Sequence, residues 1–369
     1  MRFLLTQGSA HNTIAAAQYL WKAGHSVGCT FHKGSRVPYC KFSRAIARNY
    51  EIDEGDAEGF VEGIRAIQKK DGYEVLIPMG HPVTFHAAEH REVLEGIIPM
   101  ACPTLAQHAV AVDKLASHHA ALAAGLTTPG TCLANEERFG GKAWQQSWPL
   151  FVKGRYEGTH KGKLYRCNDQ VELAKALDHT KEDPENWIIQ EYVEGEGCGY
   201  FTVAKDGDPM GEFMHHRIRE FPPSGGVSCC AEAYSHENLR EAGRALLAHL
   251  KWTGPAMVEF RHDGRGGFHF IELNAKFWGS LELSLRCGIN FPEICGLTVR
   301  GARPNPQPSS SKRFQWPWTD FQHLRQRPGA FWAVMKDFLN PGVAKNFHWR
   351  DPMPFVLMGL KSVRHLIRG

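Results

Sequence analysis

The chain opens on "MRFLLTQG", a short apolar run that breaks at Gly8, and continues into "NTIAAAQYLWKAGHSV", where small and apolar residues recur at helical spacing up to Gly24. "VGCTFHK" returns to a hydrophobic run, so the start predicts a β-α-β unit. "FVEGIRAIQKKDGYEVLIPMG" predicts a helix, a turn at Asp71-Gly72 and a strand ending at Met79. This alternation persists through about residue 105 and predicts an open parallel sheet, with its ligand crevice at the carboxyl ends of the strands. Gly8 stands without a Gly-x-Gly-x-x-Gly pattern, so a dinucleotide site is not expected there.

The pattern then changes. "AVDKLASHHAALAAGLTTPGT" predicts an Ala/Leu-rich helix ending near Gly125, and "WPLFVKGRYEGTHKGKLYRC" predicts two strands joined by a loop carrying Gly154, Gly158 and Gly162. A helix in "DQVELAKALDHT" leads to the strand "NWIIQEYV" and the turn-rich "EGEGCGY". "YFTVAKDGDPMGEFMHH" predicts a hairpin about an Asp-Gly turn, followed by the loop "REFPPSGGVSCC" and the helix "NLREAGRALLAHLKW". The last pair of strands is "PAMVEFRHDGRGGFHFIELN", and a short linker, "PNPQPSSS", precedes the remaining residues.

Composition narrows the class. At 369 residues and 43% hydrophobic, the chain can bury a large core and form two or three domains. No apolar run is long enough to span a membrane, and "MRFLLTQGSAHNT" lacks the apolar region and cleavage site of a signal peptide, so a cytoplasmic chain is expected. Ten cysteines occur without a Cys-x-x-Cys pair, and twenty histidines without His-Glu-x-x-His, which points to reduced, scattered thiols rather than to disulfides or zinc. The net charge of +4 is uneven, because from Lys312 onward ten Lys/Arg face three Asp.

The stretch "FIELNAKFWGS" holds the clearest chemistry. Strand alternation puts Phe268, Phe270, Glu272 and Asn274 on one face and His269, Ile271 and Leu273 on the other. The Gly-rich turn before it would bring Glu259 alongside Glu272. Two carboxylates and an amide oxygen are hard ligands suited to Mg²⁺, which takes the rest of its shell from water and phosphate oxygens. Lys153, at the end of "PLFV" and followed by glycines, is placed to meet phosphate oxygens. "IIQEYVEGEG" offers strand edges for an adenine and an acid, Glu196, for a ribose hydroxyl.

The order Lys114, Lys153, Gln190 to Glu196, Glu259, Glu272-x-Asn274 resembles the ATP-grasp superfamily, over roughly residues 1 to 300. Within it, the likeness is to the carbamoyl-phosphate-synthase-like carboxylate–amine ligases, whose closing motif is often Glu-x-Asn-Pro-Arg followed by aromatic-Gly-Ser. The resemblance implies an α/β and α+β architecture: an N-terminal parallel-sheet pre-ATP-grasp domain (1–107), a small lobe with a linker helix (108–190), a large lobe with the metal site (191–304) and a basic, aromatic-rich tail (305–369). It assigns Lys114 and Lys153 to nucleotide phosphates, Gln190, Glu191, Tyr192 and Val193 to the adenine hinge, and Glu196 to the ribose. Glu259, Glu272 and Asn274 would hold Mg²⁺ or Mn²⁺. In "HHRIREFPPSGGVS", Arg217 is the first candidate at the phosphoryl-transfer site and Arg219 the second. Where the family has Pro-Arg, this chain has Ala275-Lys276, so a bidentate guanidinium becomes a point charge that can still neutralise a transferred phosphate. The segment "KGRYEGTHKGK", with Tyr156, His160 and Lys161, also departs from the family's plainer phosphate loop.

The implied activity is ATP-dependent coupling of a small-molecule carboxylate to an amine through an acylphosphate. The alternatives are another phosphoryl transfer, of kinase or carboxylase type, and a nucleotide-binding regulatory subunit without turnover. A homodimer is the assembly common among similar enzymes. His11, Asn12 and His81 follow strand ends and are candidates for an acceptor pocket, with surface loop residues as the plainer reading. The tail carries Trp316, Trp318, Trp332 and Trp349 among its cations. It either packs back on the lobes or meets a membrane surface or acidic partner; nucleic acid is not expected.

Overall fold

A computed structural model of the chain describes residues 1–135, 148–159, 163–223, 225–304 and 312–368. The N-terminal strands β1 (Arg2–Leu5), β2 (Ser26–His32), β3 (Arg48–Ile52) and β4 (Val75–Ile77) form a wholly parallel sheet in the order β3-β2-β1-β4. Phe3, Leu4 and Leu5 are all fully buried, as expected of a strand covered on both faces. Strands β2 and β4 flank β1 on opposite sides, so the topological switch point lies at the carboxyl end of β1. There the chain turns through Gly8, where a Cβ would strike the Cys40 thiol, into the helix His11–Lys22.

A second, four-stranded antiparallel sheet holds β5 (Thr131–Leu133), β6 (Leu150–Gly154), β7 (Leu164–Cys167) and β8 (Trp187–Glu191) in the order β5-β8-β6-β7. The third sheet has seven strands: β9 (Glu196–Lys205), β10 (Asp208–Phe221), β11 (Val227–Ala233), β12 (Gly254–His262), β13 (Phe268–Asn274), β14 (Arg313–Gln315) and β15 (Ala344–Lys345), in the order β13-β12-β9-β10-β11-β14-β15. The architecture is therefore an α/β domain followed by two α+β lobes, and residues 192–195 connect the two lobe sheets.

Turn chemistry sets several of these boundaries. The β9–β10 hairpin turns at Asp206-Gly207, both with positive φ, and Gly72 takes the left-handed cap conformation after the helix Ala57–Asp71. At the hinge, Gly195 has a φ of 136° and approaches His262 so closely that a Cβ would strike its carbonyl.

The structure corrects two expectations about the strands. The segment read as a loop, "REFPPSGGVSCC", is mostly sheet: β10 runs on to Phe221 and β11 begins at Val227, with Cys229 and Cys230 buried in its middle. The tail also enters the large sheet, since β14 pairs antiparallel with β11 and buries Phe314 and Trp316. Trp318 donates its indole N–H to Phe355 O at 3.2 Å, whereas Trp332 and Trp349 remain 80% and 87% exposed. Two of the four tail tryptophans thus pack back.

The second correction concerns the faces of β13. Register runs Phe260↔Phe270 and then Glu259↔Glu272, which leaves Ile271 as an extra residue in a β-bulge. The bulge reverses the alternation, so Phe268, Phe270 and Leu273 share the core with Val258 and Phe260, while Ile271, Glu272 and Asn274 face the cleft. The phenylalanines and Glu272 do not share a face. All ten cysteines are buried. Among the described residues no helix is long and apolar enough to cross a membrane.

Candidate active site

The cleft between the lobes is a cavity of about 540 Å³. Its large-lobe wall is the β12–β13 pair. Glu259 and Glu272 sit directly opposite each other across these strands, and like charges in that position repel unless a cation intervenes. Arg217 supplies one cation, donating Nη1–H to Glu259 Oε1 at 2.8 Å and Nη2–H to Oε2 at 2.5 Å. Burial still pushes the Glu259 carboxyl above the usual range, with Arg217 opposing and Glu272 adding to the rise. Glu272 ends on the other side of its ordinary value. Burial raises it too, but Lys114, the Asn274 amide, Lys153 and Lys276 outweigh that, and Asn274 donates to Glu272 Oε1 at 2.9 Å.

The small-lobe wall carries the ammonium groups. Lys153, on β6, donates to Gln190 Oε1 at 2.7 Å, and Gln190 in turn donates to Thr131 Oγ1 at 2.9 Å. Burial, then the neighbouring Lys114, bring the Lys153 pKa down to about 8 against the pull of Glu272 and Glu259. Lys114 opens the helix Lys114–Ala123, whose N-cap Asp113 accepts the Leu115 N–H and is gripped bidentately by Arg155 at 2.9 and 2.6 Å. That grip fixes the first turn of the helix against the loop that follows β6.

The segment expected to form the hinge, Gln190 to Val193, borders the cleft. Glu191 Oε2 accepts the Gly130 N–H at 2.9 Å, the Tyr192 N–H reaches Pro149 O at 3.1 Å, and Glu191, Tyr192 and Val193 line the cleft with Gln190. Glu196 is not brought to this cavity. It lines an open depression on the other side of the hinge and faces His216 Nδ1 at 3.3 Å.

Arg219 also lies elsewhere. A second bulge, at Ile218, moves β10 from Arg217↔Ala231 to Arg219↔Cys230 and turns Arg219 away from the cleft. It grips Asp320 at 2.9 and 2.7 Å and Asp337 at 2.7 Å, in a buried cluster that ties β10 to the C-terminal helices. Lys276 does line the cleft, ion-paired to Glu157 and 3.5 Å from Asn274 Oδ1. Of the acceptor-pocket candidates, His11 lines the cleft and Asn12 donates to Phe277 O at 3.2 Å. His81 stacks on His108 with centroids 5.4 Å apart. Tyr156 lies under the Arg155 guanidinium, while His160, Lys161 and Gly162 fall outside the described residues.

A family model for "ATP-grasp in the biosynthetic pathway with Ter operon" matches residues 183–319, which take in the hinge, Arg217 and the whole Glu259, Glu272 and Asn274 wall. Over that stretch, the chain matches the ATP-grasp family. Solved structures carry the same fold. N5-carboxyaminoimidazole synthetase from Staphylococcus aureus complexed with ADP superimposes with a TM-score of 0.67 at 14% identity, over 89% of this chain and 85% of that one. L-amino acid ligase from Bacillus licheniformis gives 0.62 at 16% identity, over 81% and 74%. Pyruvate carboxylase 1 of Caenorhabditis elegans is 24% identical over 184 residues, 44% of this chain; the match spans only 15% of that relative's length.

Several cleft residues were not visible in the sequence. Trp316 and Thr319 lie beyond the linker, and nothing in their spacing points back to the cleft. Glu157 sits in the same loop as Tyr156, but its partner Lys276 is 119 residues away. Among the described residues no three His, Cys, Asp or Glu side chains form a metal cluster; the donors here are two carboxylates and an amide.

Proposed function

We propose that the protein is an enzyme, an ATP-dependent ligase that joins a carboxylic acid to an amine with release of ADP and phosphate. The observation that carries this reading is the opposition of the two cleft walls: Glu259, Glu272 and Asn274 on one, Lys114 and Lys153 on the other, with the hinge at the end. Carboxylates paired across strands and a neighbouring amide oxygen fit Mg²⁺, or Mn²⁺, because these ions accept hard oxygen donors and draw the rest of their shell from phosphates and water. Bound there, the ion would neutralise phosphate oxygens as a Lewis acid.

The side chains then divide the work. Lys114 and Lys153 hold the phosphates. Arg217 neutralises Glu259 and also donates to Gly226 O at 3.1 Å, so it links the wall to the Gly-rich turn between β10 and β11. Lys276 offers a point charge where the substrate carboxylate would approach. The carboxylate oxygen attacks the γ-phosphorus and the bond to ADP breaks. The amine nitrogen then attacks the acyl carbon, phosphate leaves with the electron pair, and the amine proton passes to solvent. Positioning and charge neutralisation suffice for this chemistry.

A screen of paired acids and amines with ATP, read by ADP release and product mass, tests the reading. Release that requires both partners and yields an amide supports it. Release with bicarbonate alone or an alcohol alone would sink it in favour of a carboxylase-type or kinase step, and nucleotide binding without release would favour a regulatory subunit.

A further inference from the structure

Three cavities share walls in series, from the cleft to the C-terminal helix Met353–Arg368. The cleft shares His11, Trp316 and Thr319 with a cavity of about 270 Å³, which shares Ser9, Tyr39 and Lys361 with a third of about 420 Å³. The inner end lies at the switch point after β1, where ligands of open parallel sheets collect. Two unpartnered polar atoms lie along the middle: the indole Nε1 of Trp316, a side chain only 5% exposed, and Oδ1 of Asn346. One can only donate and the other only accept, so together they match a single amide group. The outer end has the opposite character from the Glu259–Glu272 wall. Arg36, Lys361 and Arg364 surround it, none of them ion-paired among the described residues, and no Asp or Glu lines either outer cavity.

We propose that these cavities form one channel for the amine substrate, and that this substrate is a peptide. Its free amino end would lie at His11, an internal amide between Trp316 and Asn346, and its terminal carboxylate among Arg36, Lys361 and Arg364. The proposal rests on the ligase reading for its chemistry: the peptide nitrogen forms the new N–C bond, the acyl C–O bond breaks, and phosphate departs. His11 suits the inner end. Its ring faces the cavity, its Nε2 lies 3.0 Å from Gly279 O, and donation to that carbonyl leaves Nδ1 to accept the amine proton on its way to solvent.

The test needs no turnover. The full chain is mixed with a random tripeptide pool, ultrafiltered, and the retained peptides are measured by mass spectrometry beside the same pool amidated at the C-terminus and a pool of single amino acids. Free-acid tripeptides should be retained about tenfold better than either control. Retention should fall in the R36Q/R364Q double variant and in W316F, which keeps an aromatic ring and removes the donor. Equal retention of the amidated pool or of single amino acids overturns the channel, as does full retention by the double variant. ADP binding read in parallel confirms each variant's fold; if W316F fails that check, the double variant, altered only at exposed side chains, decides. Peptide retained by a protein that ligates nothing would remove the ligase reading and leave the channel. Ligation indifferent to acceptor length and terminal charge would remove the channel alone.

Discussion

Arg217 and Arg219 leave the same strand two residues apart, yet one belongs to the cleft and the other to the scaffold. Arg217 grips Glu259 at the cavity's edge, where a ligand can change its surroundings. Arg219 closes a buried cluster in which Asp320 also accepts from Gln315 at 2.7 Å and Asp337 is held by Arg313 as well. The difference is made by one extra backbone residue, Ile218, as Ile271 makes it on β13. A charge in a strand is therefore assigned to chemistry or to structure by local register, and the two classes should fail differently when broken.

The largest effect is expected at the cleft. Glu272→Gln should lower turnover about 10³- to 10⁴-fold, by removing a charge used when phosphate charge must be balanced, with little change in unfolding midpoint. Unchanged turnover would remove Glu272 from the site. Next comes the scaffold: Arg219→Met should cost about 3 to 5 kcal/mol in urea unfolding, because Asp320 and Asp337 are left buried with less compensation, while turnover per folded molecule holds. Loss of activity without loss of stability would return Arg219 to the chemistry.

A smaller, graded effect follows from Lys153. Its folded pKa of about 8 lies below the ordinary 10.5, so its charge is unfavourable to folding at neutral pH. That penalty is relieved as pH rises from about 8 toward 10.5, since the unfolded chain then binds the extra proton. Nucleotide phosphates work in the opposite sense and restore the proton. ATP binding should take up a proton near pH 8 and weaken by up to about tenfold per pH unit above it. Calorimetry in buffers of different ionisation enthalpy checks this, and Lys153→Arg should flatten the dependence. The smallest effect belongs to the rim pair, where Glu157→Gln should change stability by less than about 1 kcal/mol.

Much of the architecture could be read directly from patterning. The β-α-β start, the Asp206-Gly207 hairpin and the pairing of Glu259 with Glu272 follow from period, turn residues and strand length. What escaped has one physical cause: long-range register. Neither Ile218 nor Ile271 announces a bulge, because an isoleucine suits a regular strand equally well. Trp316 reaches the cleft only because β14 pairs with β11, a contact that no local signal encodes. Lys114, Lys153, Glu259, Glu272 and Asn274 were picked out by their distinctive order along the chain, and all five line the cleft; Glu196 and Arg219 were misplaced because order says nothing about which way a side chain turns.

The central claim is that a carboxylate attacks the γ-phosphoryl group in this cleft. It is tested most directly with an ¹⁸O-labelled carboxylic acid taken from the pair that supports ADP release, with the released phosphate weighed by mass spectrometry. The account predicts one ¹⁸O atom per phosphate formed. Phosphate free of label, with amide accumulating at the usual rate, would contradict it.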